Sequence, residues 1–512
     1  MTRTSLLLPL LALVGCPNAG SRTPEVIDVR HVSSAGGSPS VDRVVDMGSG
    51  KVPRQGRLDL SASDGHAVIG ELLLLWGSSF GKQPSVTIGG RAADVLAHVR
   101  GGGIVVRVPW GIDPGAVKIE VSNREGAGST TFPVRRLALV LDERGLQPLE
   151  LGADGSAKTA GGPLPLPGAQ KLAFSHDGSV AYVAGVAGGK VKLWIVDLGA
   201  KLPTVVGERT FPGTRLVDLE TAAQADLGLL VSDTHLVYFD NGPMLNPAFY
   251  APHALPAELV RKQVLAAAVG GWGRAVALLL ADLNQVALID ASKPTTLAEA
   301  VIVDALPEAR LQVVDDLRFS PEGRSIWVLG SDTERSIAGG YQTLQLSLLQ
   351  RSGERELRVH ETWKLTDEHL AAPALALARG EPIPPGTSIR PEPSSSAVYA
   401  PAWPSDLLKE GFAAFLKQPD RFKGRVLRSS LTDRAAQVVA EGAWLPTSVD
   451  VVGQTEVMLA LGLAVRGGRP VRVLVHGVAW RGGAPRITEL GAAPEAALRA
   501  KVPWLGEVRA QP

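Results

Sequence analysis

Lys171-Leu172-Ala173-Phe174-Ser175-His176-Asp177-Gly178 runs into Val180-Ala181-Tyr182-Val183-Ala184-Gly185, and Leu317-Arg318-Phe319-Ser320-Pro321-Glu322-Gly323 runs into Ser325-Ile326-Trp327-Val328-Leu329-Gly330. Both passages have one order: a strand-like run, a tight polar turn, an apolar strand. The turn is set by its residues, because an acidic side chain accepts bonds from the turn backbone and Gly supplies a positive φ. A third strand comes after each, at 191–198 and at 344–348, and a more polar outer strand lies near Val205.

The same outline returns more weakly at 216–239, 264–290, 388–429 and 448–475. Most periods are about 45–50 residues, which is the length of a four-stranded propeller blade. The units resemble YVTN-type β-propeller blades, with two strong copies and six in outline. Strands at 137–142 and 147–151 have no inner strand before them, so a C-terminal strand around 502–508 is expected to complete a seventh blade and close the ring. Closure hides edges that would otherwise pair with other chains. Six blades is the alternative.

Upstream, short β-type runs at 72–76, 85–88, 95–99, 104–108, 117–121 and 130–134 alternate with Gly and Pro turns, the pattern of a β-sandwich. Gly77-Ser78-Ser79-Phe80-Gly81, Val86-Thr87-Ile88-Gly89-Gly90, Ala92, Val95, Val108-Pro109, Gly115, Val117 to Val121, Asn123 and Phe132 together resemble an IPT/TIG domain, an immunoglobulin-like module. The first of these segments also fits G-x-S-x-G. A nucleophile elbow needs a helix after it, and here Pro84 and another strand come next, so Ser79 reads as part of a turn and Phe80 as core.

The chain has 512 residues, 45% hydrophobic and 20% charged, too long for one ordinary domain and too apolar for disorder. With 52 Lys+Arg against 51 Asp+Glu, nothing marks a nucleic-acid binder. The single cysteine excludes an intrachain disulfide and every multi-cysteine zinc site. That cysteine is Cys16, after Arg3, an apolar run from Leu6 to Val14, and Gly15. The run is too short for a permanent membrane helix and reads as a secretion signal. Leu13-Val14-Gly15-Cys16 resembles the bacterial lipobox, which implies a lipid on Cys16, and Pro17 in place of Asp leans towards the outer membrane. Two signals or more make a stable anchor where one acyl chain does not.

The organisation expected is a signal with lipobox over 1–16, a flexible Gly/Ser/Pro-rich tether over 17–65, an IPT/TIG-like sandwich over 66–135 and a propeller over 136–512. The fold class is all-β, with short helical insertions on one propeller face. Turns between first and second blade strands are short, whereas the insertions at 331–343, 366–387 and 401–424 fall on the opposite face. Long loops of this kind are often functional. Residues 405–416 and 367–379 carry helix-like spacing, with Ser405 a plausible cap. The apolar face of these helices reads first as a cap on the propeller end; on the second reading, in which it docks a partner or roofs a pocket, Trp403, Leu408, Phe412, Phe415, Arg335 and Tyr341 are the candidate binding residues. Trp194 and Trp272 are further stacking candidates that read as packing.

No H-E-x-x-H, P-loop or complete calcium loop is present, and no cofactor or metal is expected. Asp315-Asp316 begins a strand, which should send the two carboxylates to opposite faces. First-strand residues of the blades are mainly Leu, Val, Ala and Phe, which argues against a polar catalytic funnel. The expected function is accordingly non-enzymatic: a lipid-anchored envelope scaffold for a protein, peptide or glycan partner, with no nucleic acid. The rival is a propeller hydrolase of lactonase type, since some YVTN-type propellers resemble lactonases, and a purely structural spacer is the third possibility.

Overall fold

A computed structural model describes residues 25–27, 36–242, 245–281, 285–303, 313–320, 323–332, 343–351, 357–364, 370–371, 390–391, 397–410, 412–430, 436–452, 457–478, 485–493 and 507–511. Among them the chain is all-β apart from short helices, and seven sheets make the blades of a propeller. Blade 2 consists of Ala169–Phe174, Val180–Ala187, Lys190–Asp197 and Thr204–Phe211, antiparallel and in that order from the axis outwards. Blades 3 and 4 start at Leu216–Thr221 and Val264–Val269, and blades 5 and 7 at Val313–Phe319 and Trp444–Val452. Blade 6 takes its innermost pairing from Arg390–Pro391 against Ala397–Pro404.

Blade 1 closes the ring. Its second strand is the propeller end of Gly126–Asp142, and its innermost strand is the C-terminal Glu507–Ala510, paired Ala138 to Ala510 and Leu141 to Glu507. The described closing strand thus overlaps the end of the expected 502–508 and runs two residues past it. Gln511 latches the joint: its Oε1 accepts from the Leu137 N–H at 2.7 Å, and its Nε2 donates to the Gly178 carbonyl of blade 2 at 2.8 Å.

Neighbouring blades are held by apolar side chains that alternate along each strand. Leu137, Leu139 and Leu141 of blade 1 pack on Leu172, Ala181, Val183 and Trp194 of blade 2. Tyr182 meets Phe239 of blade 3 edge to face, ring centroids 4.8 Å apart. Burial of this kind contributes about 25 cal/mol per Å² of apolar surface. The tight turns behave as their residues require. Asp177 accepts from the Ser179 N–H at 3.0 Å, and Gly178 sits at φ 80°.

The inner strands share an irregularity. Their register against the second strand shifts between Ala169 and Lys171, Leu216 and Asp218, Val264 and Ala266, Val314 and Asp316, and Pro446 and Ser448. A bulge adds one residue and re-aims the side chains after it. Five blades therefore present their post-bulge residues in equivalent places.

Two further sheets form a sandwich before the propeller. One orders Ser40–Asp46, Leu72–Ser78, Gly103–Arg107, Val95–Val99, Glu25–Ile27 and Gly56–Arg57 side by side. The other contains Arg91–Ala93, Ser85–Ile88, Gly115–Asn123 and the first half of Gly126–Asp142. Val117, Ile119 and Val121 alternate inwards onto Leu73, Leu75, Ile104 and Phe80. Ser79 stands at φ 58° in a turn held by Asn123, whose Nδ2 donates to the Ser79 and Gly37 carbonyls. The structure thus uses Ser79 as a turn residue.

The tether expected over 17–65 needs correction in its described part. Ser40–Asp46 pairs with Leu72–Ser78, Leu58 is fully buried, and the Asp46 carboxylate accepts from Ser63 Oγ and the Asp64 and Gly65 N–H groups. The Gly and Ser around these residues concealed Val41, Val44, Val45 and Leu58, which supply enough apolar surface to join the sheet.

The sandwich sits on the propeller face that carries the short turns. Arg107 Nη1 reaches Asp177 Oδ2 at 2.7 Å and the Gly70 carbonyl at 2.7 Å, and its Nη2 donates to Gly50. Ser49 Oγ donates to Ser179, and Val68 packs with Leu137 and Leu139. A Cβ on Gly70 would fall 2.3 Å from the Asp177 oxygen, so glycine is required at this contact.

Candidate active site in the propeller channel

The post-bulge positions and those two residues on read Lys171 and Ala173 in blade 2, Asp218 and Glu220 in blade 3, Ala266 and Ala268 in blade 4, Asp316 and Arg318 in blade 5, and Ser448 and Asp450 in blade 7. Arg390 of blade 6 and Arg509 of blade 1 complete the ring. The charged members meet across the axis. Lys171 Nζ lies 3.2 Å from Asp218 Oδ1, and Arg318 Nη1 lies 3.0 Å from Glu220 Oε1 and 3.6 Å from Asp218 Oδ2. Arg318 Nε is 3.6 Å from Asp316, Arg390 Nε is 3.8 Å from Asp450, and Arg509 Nη2 is 3.9 Å from Glu220. Side chains from six blades can approach one another only in the central channel.

Arg318 reaches blade 3 because blade 4 is built from alanines at the intervening place. Its Nη1 donates to the Ala267 carbonyl at 2.8 Å on the way. Asp218 is the hub: it accepts from the Leu219 N–H at 3.0 Å and the Ala267 N–H at 3.1 Å. Asp218, Asp316 and Arg318 are almost wholly buried, whereas Lys171, Glu220, Asp450 and Arg509 keep 12–14% of their side-chain surface in contact with solvent.

Burial separates the carboxylates. It pushes Asp316 up to about 6, with Asp218 adding to the effect and Arg318 opposing it. Burial also raises Glu220 despite Arg318. Burial works to raise Asp218 as well, but Lys171, Arg318 and the Ala267 N–H together hold it below the ordinary value. Carboxyl groups pushed apart in this way, beside guanidinium and ammonium groups, are equipped for proton transfer and for stabilising a developing negative charge.

The channel corrects one expectation. Its lining is charged, because the minority of polar residues in the first strands occupies the places that face the axis. Asp316 lies within the ion-pair network, while the Asp315 side chain, and with it the expected opposite facing of the two carboxylates, lies outside the described residues. Sequence reasoning missed Lys171, Asp218, Glu220, Arg318, Arg390 and Arg509. A charged residue two or three places into the inner strands of blades 1, 2, 3 and 5, at Arg509, Lys171, Asp218 and Asp316, was the available signal.

The residues expected to bind a partner lie elsewhere and face inwards. Ser405–Glu410 and Phe412–Lys417 are helices within the connection from Ala397–Pro404 to Gly424–Ser430 of blade 6. Trp403, Phe412 and Phe415 are buried with Leu407, Phe422, Leu445 and Leu461, and Trp403 Nε1 donates to the Pro446 carbonyl at 2.6 Å. For these three the docking reading is corrected in favour of the capping one, since the apolar side of these helices is spent on blades 6 and 7. Leu408 falls in the first helix, and its side chain lies outside the described residues, as do Arg335, Tyr341 and Cys16. The helix expected over 367–379 is replaced at Leu370–Ala371 by a short strand paired with Trp403 and Pro404. Trp194 is buried between blades, and Trp272 is 58% exposed on a turn of blade 4.

Among the described residues no group of three or more His, Cys, Asp or Glu is arranged to hold a metal ion, and no helix is long and apolar enough to cross a membrane.

No protein-family model matches the chain, and no curated protein matches it. Solved structures do. The Pseudomonas aeruginosa periplasmic gluconolactonase aligns at 12% identity and TM-score 0.46, over 74% of this chain and 99% of its own. A Bacteroides uniformis protein described provisionally as a 6-phosphogluconolactonase aligns at 12% and 0.46, over 73% and 99%. The β-propeller domain of Myceliophteria thermophila Cps50 aligns at 12% and 0.42, over 64% and 88%. These are likenesses of fold. The non-enzymatic scaffold expected from the sequence is not retained, because the channel lining on which that expectation leaned is charged rather than apolar.

Proposed function

We propose that the chain is a propeller hydrolase of lactonase type, with its reaction centre among the charged side chains of the channel. The observation that carries this reading is the convergence of Lys171, Asp218, Glu220, Asp316, Arg318 and Arg509 from four blades at contact distances of 3.0–3.9 Å. The reaction class is the one named for the Pseudomonas propeller above.

In this reading Asp316, held at about 6, is ionised at neutral pH and still basic enough to take a proton from water. The water oxygen adds to the lactone carbonyl carbon, and the charge that develops on the carbonyl oxygen is met by Arg318 and Lys171. Collapse breaks the bond to the ring oxygen, which leaves with the proton that Asp316 took. The product is an open hydroxy acid. Asp218 holds both cations in place and is a positioning residue.

The test is acid release from a panel of lactones, tracked in a pH-stat above the spontaneous rate, by the full chain and by Asp316→Asn. Turnover by the parent and a loss of about 10²-fold or more in the folded variant supports the reading. No turnover of any lactone by the parent overturns it.

We propose also that the protein is carried to the envelope by a lipid on Cys16. The support is the place of the sole cysteine after Leu13-Val14-Gly15. Labelled fatty acid incorporated by the parent and absent from Cys16→Ser is the expected result, and equal labelling rejects it.

A further inference from the structure

We infer that the channel takes a neutral, hydroxyl-rich ligand and rejects a phosphorylated one; this rests on the lactonase reading above. The four cations of the described channel, Lys171, Arg318, Arg390 and Arg509, are matched by four carboxylates, Asp218, Glu220, Asp316 and Asp450. Each cation is already within 4.0 Å of a carboxylate: Lys171 with Asp218, Arg318 with Glu220, Asp218 and Asp316, Arg390 with Asp450, and Arg509 with Glu220. A site for a phosphate dianion needs surplus positive charge, and Arg is suited to it when its fork is free to face the oxygens. Here a dianion would enter a buried space beside carboxylates that hold those same cations. Removing its hydration there without a net opposite charge is unfavourable.

A hydroxyl group suits the same surroundings, because it donates one bond and accepts others. The channel offers both kinds of partner side by side at its solvent-touching members, with Lys171 and Arg509 as donors and Glu220 and Asp450 as acceptors. Glu220 Oε1 is buried with no hydrogen bond of good geometry among the described residues, although Arg318 Nη1 is 3.0 Å away. A ligand hydroxyl donating to Glu220 Oε1 fills that need. A site that hydrogen-bonds a hydroxyl rejects the analogue lacking it far more strongly than an apolar pocket rejects a missing methylene.

The experiment compares hydrolysis of glucono-1,5-lactone, its 6-phosphate and δ-valerolactone by the full chain and by Glu220→Gln, with circular dichroism confirming that the variant is folded. The expected result is a kcat/KM for the unphosphorylated sugar lactone about tenfold or more above the other two. In Glu220→Gln that preference over δ-valerolactone shrinks, because the hydroxyl loses its carboxyl acceptor. If the variant does not fold, inhibition of the parent by gluconate and by 6-phosphogluconate is compared instead, and gluconate is expected to inhibit better. Preference for the phosphorylated compound overturns the inference and leaves the lactonase reading standing. Equal rates on all three overturn the hydroxyl requirement, and no turnover of any lactone overturns both readings.

Discussion

Arg318 of blade 5 donates from Nη1 to the Ala267 carbonyl of blade 4 at 2.8 Å while the same nitrogen lies 3.0 Å from Glu220 of blade 3. One side chain therefore ties three blades together at the axis. Replacing it by Met keeps the unbranched stem and removes the charged head, leaving Asp218, Glu220 and Asp316 buried with one cation fewer. Loss of one partner from a buried ionic network is expected to destabilise by about 3–5 kcal/mol. Urea denaturation of Arg318→Met measures this, and a loss below about 1 kcal/mol, the range of exposed ion pairs, would show that the network contributes little.

Asp316 gives a signed pH dependence. Its carboxyl titrates near 3.8 when unperturbed and about 6 in the fold, so the folded state holds the proton more tightly between those values. The stabilising contribution is complete below 3.8 and is lost as pH rises through about 6. The proposed mechanism makes activity run the other way, since a general base works when ionised: kcat/KM should rise with pH and level off above about 6. Asp316→Asn is expected to remove both slopes. A parent pH profile with no inflection in that range counts against Asp316 as the base.

Glu71 offers a second titration, away from the channel. It is 1% exposed, and burial pushes it up to about 8 although the Gly48 and Val68 N–H groups both donate to it. The contribution to stability is complete below 4.5 and declines as pH rises through about 8. Glu71→Gln turns one acceptor towards an N–H as a donor, and is expected to destabilise by about 1–3 kcal/mol while flattening the alkaline decline. Thermal melts of both proteins from pH 6 to 9 decide it.

Phe415 tests the corrected role of the helices. It is fully buried among Trp403, Phe412, Phe422 and Leu461, so Phe415→Ala should destabilise by about 3–5 kcal/mol. Lactone turnover per folded molecule should be unchanged. A near-neutral effect on stability would restore this face as a candidate contact surface.

Ring closure is open to a direct cut. Removing residues 507–512 takes away the innermost strand of blade 1 and the Gln511 latch, and should abolish the single cooperative melt. Gln511→Ala alone leaves the Leu137 N–H and the Gly178 carbonyl unpaired and is expected to cost about 1–3 kcal/mol.

The propeller was legible because an acidic residue followed by Gly, as at Asp177-Gly178, marks a tight turn, and because apolar runs such as Val180 to Val183 read as buried strands. Closure was legible from 137–142, which lacked an inner neighbour. The channel was not. The register shift in five inner strands, as between Val314 and Asp316, adds a residue that strict alternation does not foresee and re-aims the side chains beyond it. The charged pairs Asp218 with Glu220 and Asp316 with Arg318 were visible as residues, but their meeting depends on Ala266 and Ala268 being small in a blade between them. Ser40–Asp46 was hidden for a simpler reason, since local composition around it is that of a linker.

The strand Gly126–Asp142 belongs to both halves of the molecule, pairing with Gly115–Asn123 at one end and with Gly145–Leu151 and Glu507–Ala510 at the other. Pulled from the N-terminal side, the chain would carry tension along this strand into rows of backbone hydrogen bonds lying across the pull. Such rows are loaded in shear and share the load, whereas a flexible joint would unzip bond by bond. The first part to yield under force should therefore lie in the sandwich, with the ring and its channel kept whole.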